Sequence, residues 1–306
     1  MPEFHEIDES GFERLVAVRN LVWPFDPLSA DDYRDWQRQA GEMASLLVTE
    51  AGQDVAGGSG VVGWHSPPGV GRVPIWVLPE HRGRGVGSEL LARLSAWLRD
   101  RDCVEATSPV FEEDAASLAW AERRDFVEVG RNSVLALDLA MFDEPPTPLP
   151  LGVEIVTWAD RPDTARGMYE VMLEAAPDIP GEDDAEIQPF ESWLENDMQG
   201  LSDRPDATFV AIADDEVVGF AKLAFSAGDS EVVFHDLTGV KRGWRRRGVA
   251  GALKRAQIEW ARASGFSRLK TFNEERNEPI RRLNERYGYR QEPGFVTVRG
   301  PIGAPS

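Results

Sequence analysis

Two segments of the chain carry apolar residues at the spacing of an amphipathic helix. The apolar positions of the first segment are Leu90, Leu91, Leu94, Trp97 and Leu98, and those of the second are Leu253, Ala256 and Trp260. Each segment follows an apolar run typical of a buried strand, residues 73–78 and 232–240. The pattern therefore predicts a strand, a loop and a long helix in each half of the chain.

The two halves are duplicates of one another. Arg82 and Arg245 lie 163 residues apart, and the same interval relates further positions without a gap. The matched pairs are Val77 and Val240, Gly85 and Gly248, Leu90 and Leu253, Trp97 and Trp260, Glu122 and Glu285, and Phe126 and Tyr289. A repeat of this length predicts two domains of one fold. We place them at residues 1–144 and 152–306.

The order of elements is the same in each half. The predicted helices are 11–21, 114–124, 162–174 and 277–287 besides the two long ones, and the predicted closing strands are 103–108, 126–139, 269–272 and 289–298. Helices packed on a sheet imply α/β domains. A proline-rich linker, residues 145–151, can continue neither a helix nor a central strand and is expected to be extended.

Charge and composition narrow the classes of partner. A net charge of -20 argues against nucleic acid and anionic membranes, because phosphates are held by lysine and arginine, and it permits a cationic amine. The sequence has no apolar run of about 20 residues and no signal-peptide pattern at its start, so a cytoplasmic location is expected. The one cysteine, Cys103, is expected to be a buried structural thiol rather than a nucleophile.

A glycine-bearing loop joins strand to helix in each half. The first loop is Arg82-Gly83-Arg84-Gly85-Val86-Gly87 and the second is Arg245-Arg246-Arg247-Gly248-Val249-Ala250. Unpaired N–H groups at a helix N-terminus suit a diphosphate, and glycines let the backbone approach it closely. A single copy could be an ordinary helix start with solvated arginines, but two copies in register make that interpretation much weaker. Neither loop fits the Rossmann or P-loop pattern.

This repeated Arg-x-x-Gly-x-(Gly/Ala) motif resembles the signature of the GNAT superfamily of acetyltransferases, which binds the pyrophosphate of acetyl-CoA. The second half resembles tandem members of that family more closely. The matching segments are Thr238-Gly239-Val240, Leu253-Lys254, Thr271-Phe272-Asn273, Asn277, and Leu283-Asn284-Glu285 before Gly288-Tyr289. The resemblance implies two tandem domains, each a mixed, mostly antiparallel sheet flanked by helices. It also implies an acetyl-CoA-dependent N-acetyltransferase without a metal, acting on a small-molecule or peptide amine.

The two halves differ in charge around the loop. Residues 241–255 contain seven basic residues and no acid, whereas residues 78–92 contain Arg82 and Arg84 against Glu80 and Glu89. A solvated helix face explains some of the seven. We expect the second half to be catalytic and the first to be degenerate, helping to shape the substrate cleft in a monomer whose halves pack as a pseudo-dimer.

The resemblance assigns a set of residues to acetyl-CoA. In the second half these are Thr238, Val240, Arg245, Arg246, Arg247, Gly248, Val249, Ala250, Asn273, Asn277 and Asn284. In the first half the weaker counterparts are Val77, Arg82, Gly83, Arg84, Gly85, Val86 and Gly87. Asn277 fits a helix cap better than a ligand contact, because Glu278-Pro279 follows it.

Candidate catalytic groups lie on the strand before the second loop. His235 and Asp236 alternate there, and either could take the proton of the amine, directly or through water. A structural histidine and an aspartate paired with a basic residue are the competing interpretations. Many members of the family carry a tyrosine where this chain has Asn284 and Ala121, and Tyr287 is expected to point elsewhere.

Two questions stay open at the level of sequence. The acidic insertion 178–203, with Phe190 and Trp193, could form a wall of the substrate cleft or a solvated helix. A non-catalytic acyl-CoA sensor or scaffold is the main alternative function. A nucleic-acid-binding module that uses residues 241–255 is the second alternative.

Overall fold

The computed structural model describes residues 1–63, 67–142, 149–178, 188–274 and 277–303. Most of the predicted linker lies outside these ranges. The elements of the first half are β1 (Glu3–Ile7), α1 (Phe12–Val22), α2 (Ala30–Gln39), β2 (Glu42–Glu50), β3 (Gln53–Val62), β4 (Val70–Arg72), β5 (Ile75–Val77), α3 (Val86–Arg99), β6 (Glu105–Phe111), α4 (Ala115–Glu122) and β7 (Val127–Asp138). The elements of the second half are β8 (Glu154–Thr157), α5 (Ala165–Ala175), α6 (Phe190–Asp197), β9 (Thr208–Ala213), β10 (Glu216–Ser226), β11 (Asp229–Val240), α7 (Val249–Ala263), β12 (Arg268–Glu274), α8 (Glu278–Arg286) and β13 (Arg290–Pro301).

The thirteen strands of the described residues belong to one sheet. Its order is β1-β2-β3-β4-β6-β13-β7-β12-β11-β10-β9-β8, and β5 pairs with β3 beside β4. Neighbouring strands are antiparallel except for two parallel pairs, β4 with β6 and β11 with β12. The prediction of a mixed, mostly antiparallel sheet flanked by helices is confirmed.

The last strand of each half completes the sheet of the other half. β13 lies between β6 and β7 of the first half, and β7 pairs with β12 of the second half. This exchange satisfies the backbone N–H and C=O groups that β6 and β12 would otherwise leave unpaired at an edge. Val296 and Val298 of β13 accordingly pack against Ala121 and Phe126 of the first half. The sequence predicted two halves in contact but not this exchange.

Helices cover both faces of the sheet. In the first half, Leu47 and Trp76 pack with residues of α1 and α2, whereas Leu46 and Val48 pack with α3 on the opposite face. Alternation along β2 places successive side chains on opposite faces. The second half repeats the arrangement, with α5 and α6 on one face and α7 on the other. Within the described ranges, no helix is long and apolar enough to cross a membrane.

The structure corrects several sequence-based boundaries. Within the strand expected at residues 73–78 only β5 forms, at Ile75–Val77, and a separate strand, β4, precedes it at Val70–Arg72. The strand expected at 103–108 runs from Glu105 to Phe111. β1 and α2 were not predicted; α2 is polar, and Tyr33 is its one buried side chain. Cys103 is buried, as expected.

The insertion after α5 is partly described. Residues 179–187 lie outside the described ranges, and residues 190–197 form α6. Trp193 is 2% exposed and packs with Met168, Val171 and Phe220 in the core of the second half. The interpretation of the whole insertion as a solvated helix is therefore wrong for α6, since an indole that is fully buried belongs to the core.

The strand exchange predicts that a mutation in β13 acts on the first half. Val298→Ala should lower the free energy of unfolding by about 2 kcal/mol, because it removes buried methyl groups next to Phe126. Amide hydrogen exchange should rise in β6 and α4, which lie more than 170 residues earlier in the sequence. Val129→Ala, at an exposed site on β7, is the matched control and should change stability by less than about 0.5 kcal/mol. Faster exchange confined to α7 and α8 would contradict the assignment.

Candidate active site

Each half contains a cleft where two parallel strands separate. β4 and β6 pair from Val70 opposite Glu105 to Arg72 opposite Thr107. Val73-Pro74 then interrupt the strand, and β5 pairs with β3 rather than with β6. In the second half, β11 and β12 pair as far as His235 opposite Thr271, and β11 then continues to Val240 paired with β10 but not with β12. We call these openings the first cleft and the second cleft. Separating strands leave backbone groups available to a ligand.

The two loops have the same backbone conformation. The residues before α3 and α7, Gly85 and Gly248, have φ angles of 87° and 90°. Two residues earlier, Gly83 and Arg246 have φ angles of 74° and 61°. Neither helix has a side-chain cap, so the N–H groups of the first turn remain available. Alternating left-handed residues at a helix N-terminus form a concave, anion-binding backbone.

The first arginine of each loop ties the loop to the preceding strand. Arg82 donates from Nε to the carbonyl of Val77 at 3.0 Å, and Arg245 donates from Nε to the carbonyl of Val240 at 3.1 Å. The two guanidinium groups also reach Asp114 at 2.8 Å and Asp178 at 2.7 Å. These arginines therefore set the shape of the loop, and their charges are already paired.

Both carboxylates are held in the charged form. Desolvation raises the pKa of Asp114, but hydrogen bonds from Ser117 and the guanidinium of Arg82 outweigh it, so that the pKa lies below its ordinary value. A hydrogen bond from Arg245, with support from Arg242, lowers the pKa of Asp178. Asp114 also caps α4 by accepting from the N–H of Ser117 at 3.0 Å.

A cavity of about 480 Å³ occupies the first cleft. It begins at the first loop and reaches the indoles of Trp23 and Trp76 on the opposite side of the sheet. Its other walls come from α3, α4, β6 and Val298 of the exchanged strand β13; the aromatic wall residues are Phe111, Trp120 and Phe126. The volume lies in the range of small-molecule and cofactor sites.

A second cavity of about 370 Å³ lies on the α1 and α2 face of the sheet, between the two halves. Trp23, Trp76 and Pro109 line both cavities, so the two adjoin where the strands separate. We call this cavity the central pocket. The second half contributes Ser202, Phe225, Ser226, Phe272 and Phe295 to its wall. A molecule in the first cleft and another in the central pocket would therefore meet at the strand opening.

In the second cleft the structure separates the two candidate bases. His235 is 6% exposed, its Nδ1 lies 2.9 Å from Oε1 of Gln257, and its Nε2 contacts the hydroxyl of Tyr289. Burial, and then the nearby Lys254, hold the pKa of His235 well below its ordinary value. His235 is therefore a neutral side chain enclosed beneath α7.

Asp236 lies on the other face, where β11 has a bulge. The register between β10 and β11 shifts at this point, and the side chain of Asp236 is 45% exposed. Its Oδ2 lies 2.8 Å from Nζ of Lys222, which also contacts Asp203 at 2.7 Å. Bulges commonly redirect a side chain next to an active site. Of the two candidate bases, Asp236 is the one within reach of solvent.

The asparagines of the second half bond to one another. Asn284 donates from Nδ2 to Oδ1 of Asn273 at 2.6 Å, and Asn273 donates to the carbonyl of Phe272 at 3.0 Å. Asn284 is 1% exposed, and its Oδ1 has no hydrogen-bond partner among the described residues. Asn277 occupies the N-cap position of α8, but its side chain forms no capping bond there. The hydroxyl of Tyr287 donates to the carbonyl of Gly251 at 2.7 Å, away from the cleft opening.

Most of the positive charge near the second loop has local partners. Lys241 contacts Glu216, Arg242 contacts Asp178, and Arg255 contacts Glu259. Lys254 is buried, and of the seven basic residues at 241–255 only Arg246 and Arg247 are exposed without a carboxylate partner in the described part of the chain. Arg247 lies 4.8 Å above the ring of Trp244. In the first loop, Arg84 lies 3.6 Å from Glu50.

The structure also reveals site residues that the sequence analysis missed. Trp23, Trp76 and Trp120 line the first cleft, and Arg72 lines the central pocket. The run Leu21-Val22-Trp23-Pro24-Phe25 was the available signal, because apolar and aromatic residues continue past the end of a helix. The remaining predicted residues of the loops lie at the mouths of the two clefts, and Thr238 and Val240 lie on the part of β11 that pairs with β10 but no longer with β12.

The strand opening, the strand-to-helix loop and their duplication define an acetyltransferase fold. The sequence pattern of the family described as Acetyltransferase (GNAT) family matches residues 3–126 and 166–289, and the chain belongs to this family. The two matches end just before β7 and β13, the strands that the halves exchange.

Relatives of known structure share the tandem architecture. A tandem GNAT protein from the clavulanic acid biosynthesis pathway aligns over 100% of both chains, with a TM-score of 0.78 and 20% identity. A GCN5-related N-acetyltransferase from Sphaerobacter thermophilus aligns over 98% of this chain and 96% of its own, with a TM-score of 0.75 and 21% identity. At these identities the likeness shows the fold.

Curated relatives match over a shorter length. Aminoglycoside N(6')-acetyltransferase type 1 from Acinetobacter baumannii is 26% identical over 132 residues, which cover 41% of this chain and 90% of that protein. The protein of the same name from Salmonella enteritidis is 26% identical over 137 residues, covering 42% and 94%. Each match therefore spans about the length of one repeat of this chain.

The conformation of the second loop predicts an unusual response to glycine. Arg246→Gly should leave the free energy of unfolding unchanged or raise it by up to about 1 kcal/mol, because glycine relieves the left-handed strain that Gly83 avoids in the first loop. Arg247→Gly is the matched control, and it should lower stability by about 0.5–1 kcal/mol. Urea unfolding without CoA measures both. Equal losses in the two variants would show that Arg246 is not strained.

Lys254 predicts a change of stability with pH. Burial lowers its pKa from 10.5 to about 7, and Leu91 occupies the equivalent position of the first half. Lys254→Leu should therefore raise the free energy of unfolding at pH 7. In the unfolded chain Lys254 keeps its proton up to about pH 10.5, whereas in the folded chain it loses the proton near pH 7. The free energy of unfolding of the wild type should therefore rise relative to that of the variant as the pH increases from about 7 to 10.5. A stability difference that does not change over this range, measured by urea unfolding, would contradict a buried neutral amine.

Proposed function

We propose that the protein is an acetyl-CoA-dependent N-acetyltransferase for a primary amine, with the thioester bound in the first cleft. The adjoining cavities support this assignment. The first loop provides N–H groups for the diphosphate, the cavity of the first cleft leads from that loop to the strand opening, and the central pocket begins on the other side. Because the strand exchange is internal, we expect a monomer to be sufficient.

The reaction joins the amine of one cavity to the acetyl group of the other. The nitrogen lone pair attacks the thioester carbonyl carbon, the C–S bond breaks, and the thiolate leaves. N–H groups of the strand ends that no longer pair across the opening can stabilise the developing oxyanion. The nitrogen proton passes to water and the thiolate takes up a proton from water, since the described lining of the first cleft contains no histidine or glutamate and its one aspartate, Asp114, is held by Arg82 and Ser117.

The relatives support an amine as the acceptor. The two curated relatives are named as aminoglycoside N(6')-acetyltransferases, and a tandem neighbour comes from a biosynthetic pathway for a small molecule. We therefore favour a small-molecule amine over a peptide. An acyl-CoA sensor would bind the cofactor without releasing its thiol.

The second cleft is the competing location for catalysis, as the charge of its loop indicated. Two observations favour it: Asp236 is exposed at a bulge beside the strand opening, and Arg246 and Arg247 carry charge without a carboxylate partner among the described residues. In this alternative Asp236 would accept the amine proton, and the first cleft would bind acyl-CoA without turnover.

A matched pair of substitutions distinguishes the two clefts. A Cβ at Gly87 would lie 3.6 Å from Cγ2 of Val77 and 3.8 Å from Cζ2 of Trp120, so a methyl group fits and an indole does not. Gly87→Trp should abolish thiol release from acetyl-CoA and the associated calorimetric binding. Ala250→Trp, at the equivalent position of the second loop, should retain turnover within about twofold. Thermal unfolding of both variants checks that they are folded.

Each alternative result has a definite meaning. Loss of turnover only in Ala250→Trp would place catalysis in the second cleft. Loss in both folded variants would contradict a first cleft that acts alone. CoA binding without thiol release from any amine in wild-type protein would favour the sensor.

A further inference from the structure

The central pocket is lined by aromatic rings and by a few charged groups. Its aromatic residues are Trp23, Trp36, Trp76, Phe225, Phe272 and Phe295. Its charged residues are Arg19, Asp26, Asp32, Asp35 and Arg72. Because aromatic walls bind apolar parts of a ligand, the charged groups that are free to bind a ligand decide which polar group it carries.

Four of the five charged residues are already engaged. Arg19 and Asp26 form an ion pair of 3.0 Å. Asp32 accepts from the backbone N–H of Ser29 at 2.7 Å and from the hydroxyl of Ser226 at 3.1 Å. Asp35 contacts Arg38, and it accepts from the backbone N–H of Leu201 at 2.9 Å. These carboxylates hold the chain together around the pocket, and their lone pairs are largely used.

Arg72 is the exception. Within the described ranges it has no carboxylate, hydrogen-bond or ring partner; its side chain lines the pocket, is exposed to solvent, and has a pKa lowered by desolvation from the surrounding protein. Arginine stays charged in such surroundings, since its ordinary pKa lies far above neutral pH. A charged guanidinium in a concave, aromatic site offers five N–H donors to an anion that enters it.

The position of Arg72 directs it away from the cofactor loop. It is the last residue of β4, and it pairs with Thr107 where the strands separate. A Cβ at the preceding Gly71 would lie 2.4 Å from Leu98 of α3, so position 71 faces α3 and position 72 faces the opposite side. Arg72 therefore does not face the phosphates expected at the first loop. It faces the partner that enters from the central pocket.

We infer that the acceptor is an amine that also carries a carboxylate and an apolar or aromatic group, and that Arg72 binds the carboxylate. This inference rests on the proposed function, because it names the acceptor class for the same site. A planar guanidinium matches a carboxylate with two parallel hydrogen bonds. The aromatic walls hold the apolar part, and the amine is left to approach the thioester.

Binding of a simple anion tests the inference independently of turnover. 3-Phenylpropionate should quench tryptophan fluorescence saturably, with a dissociation constant at least about tenfold lower than that of its neutral amide, 3-phenylpropanamide. Arg72→Gln should raise the dissociation constant of 3-phenylpropionate by about 10- to 100-fold and leave that of the amide unchanged. Arg72→Lys should give a dissociation constant between those of wild type and Arg72→Gln. Arg161→Gln, at an exposed site that pairs with Asp163, is the matched control and should behave as wild type.

Turnover gives the second measurement. Thiol release from acetyl-CoA should have a higher kcat/KM with phenylalanine than with 2-phenylethylamine, and Arg72→Gln should remove the difference. Equal binding of the carboxylate and the amide, no saturable quenching by 3-phenylpropionate, or an unchanged carboxylate preference in Arg72→Gln would overturn the inference. Carboxylate binding without turnover of any amine would instead contradict the proposed function and leave the anion site in place.

Discussion

Backbone hydrogen bonding between β13 and its two neighbours holds the remaining structure in place. β13 pairs with β6 over residues 295–301 and with β7 over residues 290–299, and β7 in turn pairs with β12. Both cavities depend on this pairing, because Val298 of β13 lines the first cleft and Phe295 lines the central pocket. The contact of Trp23 with Phe295, at 5.4 Å between ring centroids, joins the α1–α2 connection to the same strand. Neither cavity therefore belongs to one half alone.

Local features of the fold could be predicted from the sequence, and long-range pairing could not. Gly85 and Gly248 take left-handed conformations because glycine adopts them without strain, and this preference is visible in the sequence. The order of strands and helices follows from apolar spacing in the same way. The alternation of Val296 and Val298, in contrast, fits any antiparallel neighbour, so it does not specify that the neighbour is β6 of the other half.

The charge of the candidate site likewise could not be predicted from the sequence, because it depends on ion pairs that form only in the folded chain. A count of basic residues favoured the second loop, but contacts with Asp178 and Glu216 pair much of that charge, and burial lowers the pKa of Lys254 to about 7, so that it loses part of its charge at pH 7. Arg72, by contrast, has no sequence signal, because a single arginine at a strand end is ordinary. Its significance comes from the absence of a partner within the described pocket wall. Charge in a sequence thus indicates binding only after the internal pairs are known.

The exchange of terminal strands has a consequence for how the duplicated gene can evolve. If one cleft loses its activity, the repeat that contains it is still needed, since its last strand completes the catalytic repeat. Selection would therefore keep β7 and β13 while the residues of a silent loop change freely. Separation of the repeats into two genes would require each product to recover its own closing strand, which makes the fused arrangement difficult to reverse.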